Sequence, residues 1–137
     1  MMQSNRGAAQ YRSVRSHGQV SDTSPTRLVQ IMFEHILTNL ATAQGCMARI
    51  EHNRPLSEVT QKLAAMRKAI QLIGQLNVTL DMERGGKIAE NLRALYEYML
   101  VRLTQANAYN DTHIVSEVSN LVREIKTGWD GIVSDAR

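Results

Sequence analysis

The chain has 137 residues, enough for one domain whose core needs no covalent staples. Hydrophobic residues make up 43% but aromatics only 4%, with one Trp, one Phe and two Pro, a balance that suits helices packed on helices and argues against a sandwich or barrel. The net charge of +3 is spread out and lacks the dense basic stripe of a nucleic-acid binder, no apolar run reaches the roughly 18 residues of a membrane span, and the polar opening lacks a signal-peptide core.

Residues 1–20 are polar and weakly periodic and read as an arm ahead of a bundle spanning 21–137. Tyr11 and Val14 are its bulky apolar residues, and they either share one face of a short helical turn or belong to a flexible segment. The first long helix is predicted to open with Ser24 as N-cap and Pro25 at the first helical position. Leu28, Met32, Ile36, Leu40 or Ala43, Met47 and Ile50 then recur at steps of three or four, and a second set, Val29, Phe33, Leu37 and Leu40, widens the stripe. The segment His52-Asn53-Arg54-Pro55 breaks the helix, because proline disfavours helical backbone at the residue before it.

A second helix is expected over about Leu56–Met82, with Val59, Leu63, Met66, Ile70, Ile73 and Leu80 inward and Arg84-Gly85-Gly86 as its stop. The third is expected over about Lys87–Tyr109, with Ile88, Leu92, Leu95, Met99, Leu103 and Ala106 inward. Asn110-Asp111 makes the next connection, Asp111 or Thr112 capping a last helix with the stripe Ile114, Val118, Leu121, Val122, Ile125, Trp129 and Ile132. Long helices joined by short loops run antiparallel, so the predicted fold is all-α: an up-down-up-down four-helix bundle with a flexible or short-helical N-terminal arm.

No chemistry emerges from the motifs. Gly85-Gly86-Lys87 resembles a phosphate loop only superficially, since Asp81 and Ile88 stand where that loop needs Gly and Ser or Thr. None of His17, His35, His52 and His113 has a partner at metal-binding helical spacing, and His35 is expected at the core edge. Cys46, the single cysteine, is expected to be a buried inert thiol, and a reduced cytoplasmic setting follows as the default. Neither an enzyme nor a cofactor is expected.

Apolar surface is more plentiful than a bundle core needs. Tyr98 and Val101 fall away from the Leu92–Met99–Leu103 stripe, with Ala94 and Ala108 near Val101 and Glu90, Glu97 and Arg102 around them. Phe33 and Leu37 fall at or beyond the edge of the first helix's inner face. Such a face is a groove for an amphipathic partner, a homodimer interface, packing against a neighbouring helix, or the scattered apolar surface that any folded protein shows.

Longer patterns add a family resemblance. Ser24-Pro25-x-x-Leu28 and Met32-Phe33-Glu34, then Lys68-Ala69-Ile70-x-x-Ile73 with Leu76-Asn77, precede the block Leu80-Asp81-x-Glu83-x-Gly85-Gly86-x-Ile88-Ala89-x-Asn91-Leu92-x-x-Leu95-Tyr96-x-Tyr98-Met99. Arg102-Leu103, Ala106-Asn107, Asn110-Asp111 and Trp129 continue it. Over nearly the whole chain this resembles the FliS family of flagellar export chaperones, with His35 where glycine is usual and a slightly longer loop at His52–Pro55. The resemblance implies a cytosolic chaperone that binds the disordered C-terminal segment of flagellin, prevents premature polymerisation and aids delivery to the type III export gate as a chaperone–client complex. It further implies a client surface, assigned here to Phe33, Leu37, Tyr98, Val101 and Gln105, and a covering arm at Tyr11 and Val14. Neither nucleic acid nor membrane insertion is expected, and a generic adaptor or weak homodimer is the alternative use of the apolar face.

Overall fold

The computed structural model describes residues 24–53 and 55–135, which form four α-helices and, among the described residues, no strand. These are α1 (Pro25–Asn53), α2 (Leu56–Val78), α3 (Gly86–Tyr109) and α4 (Thr112–Asp135). Their connections are so short that each helix doubles back along its predecessor. α1 packs on α2, α2 on α3 and α3 on α4, and α4 closes the ring against α1. The predicted up-down-up-down bundle is the fold observed. Residues 1–20, with Tyr11 and Val14, lie outside the described residues.

The start of α1 follows its cap signals. Ser24 Oγ accepts the Arg27 N–H at 3.2 Å, and Pro25 occupies a position where a missing N–H leaves no helical bond unmade. Leu28, Met32, Ile36, Leu40, Ala43, Met47 and Ile50 are all buried as expected. Phe33 is buried too, only 1% exposed, and its ring meets Trp129 edge-on at a centroid distance of 6.4 Å. The placement of Phe33 at the edge of the inner face is therefore corrected. α1 touches both α2 and α4, so its broad stripe is two faces with two partners. Trp129 Nε1 also donates to Thr26 O at 2.8 Å, tying the end of α4 to the beginning of α1. Cys46 lies buried in this interior, with Arg49 donating to its sulfur at 3.6 Å, and burial pushes its thiol above the ordinary value. His35, by contrast, is exposed and not at the core edge.

In α2 the inward face is rotated from the expected one. Its buried residues are Lys62, Ala65, Met66, Ala69, Leu72, Ile73 and Leu76, whereas Leu63 is 42% exposed and Ile70 half-buried. Large aliphatics misled the pattern because the small Ala65 and Ala69 carry part of the contact. α2 also ends at Val78, before the glycines. There Thr79 Oγ1 donates to Leu76 O at 2.9 Å and Leu80 N–H to Asn77 O at 3.3 Å, so the last carbonyls are satisfied without a glycine cap.

The glycines open α3 instead. Gly85 N–H donates to Asp81 O at 2.8 Å and Arg84 N–H to Asp81 Oδ1 at 3.0 Å, folding 79–85 into a tight turn. A Cβ on Gly85 would lie 2.6 Å from Ala89 Cβ and 2.7 Å from Asp81 O, so only glycine fits. Ile88, expected inward, is 72% exposed, because α3 turns Ala89, Tyr96, Met99, Leu103 and Ala106 to the core. Burial pushes the Tyr96 hydroxyl up to about 12. In α4, Ile114, Val118 and Val122 are buried as expected, Val115 joins them, and Ile132 lies exposed. Each large core side chain of this kind stabilises the fold by about 1.5–3 kcal/mol relative to exposure.

Candidate functional site

The α3–α4 turn fixes the geometry of the seam between those helices. Asn110 is the one non-glycine described residue in the left-handed region, at φ 53, and its N–H caps Ala106 O. Asp111 Oδ1 then accepts the N–H groups of His113 at 3.0 Å and Ile114 at 3.2 Å, which caps α4. With α4 held in this register, Glu117 faces the middle of α3. Arg102 Nε donates to Glu117 Oε1 at 2.8 Å and Tyr98 Oη to Glu117 Oε2 at 2.8 Å. Arg102 and then Tyr98 hold the Glu117 carboxyl below its usual range, and the bond to Glu117 raises both donors. Arg102 Nη1 also donates to Gln105 Oε1 at 2.9 Å.

Tyr98, Val101, Arg102 and Gln105 thus form one row at i, i+3, i+4 and i+7, the spacing at which a helix presents anchors to a partner. Val101 is 58% exposed and projects beside the polar strap. The strap orients the Tyr98 ring and leaves its apolar body open at the surface. Of the five residues predicted for a client surface, Tyr98, Val101 and Gln105 are brought together here. Leu37 is half-buried and packed against the core, in the α1 row of Gln30, Phe33 and Gln44 that faces α4. It lies on the opposite flank of α4 from Glu117, and Phe33 is inside the bundle.

A second surface lies on the other flank of α3. Lys62, nearly buried, donates from Nζ to Asn107 O at 3.0 Å and to Asn110 Oδ1 at 2.8 Å, closing the C-terminal end of α3. Burial lowers its pKa. Next to it a depression of about 520 Å³ is lined by Leu63, Arg67, Ile70, Gln71 and Asn107. It escaped the sequence reading because Leu63 and Ile70 were assigned inward. The available signal was Arg67, a charge set between two aliphatics in one helical row. Among the described residues no group of His, Cys, Asp and Glu is placed to hold a metal ion, and no helix is long and apolar enough to cross a membrane.

Among the described residues the antiparallel bundle leaves two open seams, one on each flank of α3. A family model described as "Flagellar protein FliS" matches residues 7–136, and the chain belongs to that family. It is 46% identical to the flagellar secretion chaperone FliSB of Pseudomonas aeruginosa, over 90% of this chain and 92% of that protein. The flagellar secretion chaperones FliS of Vibrio cholerae and Salmonella typhimurium are 38% and 35% identical, over 93% and 92% of this chain and 89% of each relative.

Proposed function

We propose that this chain is a flagellar secretion chaperone that binds the C-terminal segment of flagellin in the cytosol, keeps it from polymerising and presents it to the type III export gate. The observation that carries this is the match to the FliS family across residues 7–136, on a bundle that leaves Tyr98 and Val101 open beside its α3–α4 seam. A disordered client loses conformational entropy on ordering, and a long apolar surface is what offsets that loss. Tyr98 and Val101 supply part of it, Gln105 adds a polar contact beside them, and Leu37 lies at a more distant edge. Phe33, being core, is left out. Residues 1–20 form the arm that covers the client surface through Tyr11 and Val14 in the absence of client. Binding of this kind uses no nucleotide, metal or catalytic residue.

Calorimetric titration with the C-terminal segment of flagellin, with and without a chelator, tests the proposal. One-to-one binding unaffected by the chelator is the expected result. Absence of heat at protein concentrations of tens of micromolar, or a strict metal requirement, refutes it.

A further inference from the structure

Lys62 is a cation buried without a counter-ion. It is 6% exposed, no carboxylate pairs with it among the described residues, and burial holds its pKa below the ordinary value. Ending α3 does not require it, since the N–H groups of Asn110 and Asp111 both turn back to Ala106 O. Its bonds instead join three parts of the fold. From α2, Lys62 Nζ reaches Asn107 O on α3 at 3.0 Å and Asn110 Oδ1 in the α3–α4 turn at 2.8 Å.

α4 is anchored separately. Gln44 of α1 donates from Nε2 to Thr112 O at 3.0 Å and to Ser116 Oγ at 2.6 Å, next to Glu117. The meeting of Glu117 with Tyr98 and Arg102 therefore depends on two anchors, Gln44 for α4 and Lys62 for α3. Asn107 follows Arg102 by five residues, about 7.5 Å along the helix, so a displacement at the anchor is carried to the strap by rigid backbone. Tolerance there is small: a separation of about 1 Å along either bond of Glu117 takes it past hydrogen-bonding range.

We infer that Lys62 is a positioning residue for the Tyr98–Val101 row: by fixing the end of α3 and the turn after it, Lys62 sets the register in which Glu117 straps Tyr98 and Arg102. It acts from the opposite flank of α3 and touches no client. The consequence for flagellin rests on the chaperone reading, whereas the effect on the strap does not.

Two variants break the link from opposite ends. Lys62→Met removes the donor, and Asn110→Gly removes the acceptor while leaving a residue at ease at φ 53. Asn110→Gly changes no charge, so any change at Glu117 reports position alone. In carbon NMR titrations of the client-free chain, Glu117 is expected to titrate higher in Asn110→Gly than in the wild type, because the bonds that hold it low are loosened. Calorimetric titration of the full chain with the C-terminal segment of flagellin, well below each melting point, supplies the second readout. Lys62→Met and Asn110→Gly are each expected to weaken binding about two- to tenfold, and neither should weaken it further in a Glu117→Gln background, since contacts in one network do not add. A residue that only stabilises the bundle would lower the melting temperature and leave both Glu117 and the affinity unchanged. That result, or losses that multiply with Glu117→Gln, overturns the inference and leaves the chaperone reading standing. If the wild-type chain does not bind flagellin, the chaperone reading falls, and the titration of Glu117 in Asn110→Gly still decides the role of Lys62.

Discussion

Replacing Phe33 with alanine distinguishes a core role from a client contact. The side chain is almost fully buried and edge-on to Trp129, so the substitution removes its transfer energy, its ring contact and the packing around it. Truncations of buried phenylalanine typically cost about 3–5 kcal/mol, with the aromatic pair contributing about 0.5–1.5 kcal/mol. In a domain of this size each kilocalorie lowers the melting temperature by roughly 3–6 °C, so a fall on the order of 10–30 °C is expected. Far-UV circular dichroism during a thermal scan reads it directly. Flagellin binding measured well below the lowered melting point should survive. A drop of less than about 3 °C together with lost binding would show Phe33 acting as a surface anchor and refute its placement in the core.

Three further outcomes follow from the same structure. Val101→Asp should weaken flagellin binding several-fold or more while changing stability by less than about 0.5 kcal/mol, since its side chain is open to solvent; a melting point as low as that of Leu103→Asp, on the buried face, would argue against this. Gly85→Ala should destabilise the bundle by about 1–3 kcal/mol through the clash with Ala89 Cβ and Asp81 O, as denaturant titration would show. Tyr96 has an ordinary value of 10.0 and a folded value of about 12, so its contribution is complete below pH 10 and lost as pH rises towards 12. That loss is about 2–3 kcal/mol by linkage, and Tyr96→Phe should flatten the alkaline decline in melting temperature.

What the sequence disclosed was governed by which signals are local. Caps and turns were legible: Ser24, Pro25, Asn110 and Asp111 act at the positions their chemistry predicts. So was the heavy side of α1, where large aliphatics coincide with the buried face. The rotation of α2 was not, because Ala65 and Ala69 contribute little to a hydrophobic pattern although they form part of the contact. The glycine pair misled for a different reason. Glycine marks an unusual backbone or a close approach, and only the path of the chain decides whether it ends one helix or begins the next. Side-chain pairings across the bundle, such as Glu117 with Tyr98 and Arg102, depend on helix rotation and so became visible only in three dimensions.

Cys46 gives the protein an internal clock. It is the chain's one thiol, lies towards the C-terminal end of α1 and has no exposed surface. A thiol reagent can reach it only after the packing over it opens, the Arg49 side chain included, so the rate of modification counts local openings at this end of α1 with no label added. A client lying along the helices and holding them closed would slow that clock. One spreading them apart would speed it, so a single native sulfur reports whether cargo clamps the scaffold or loosens it.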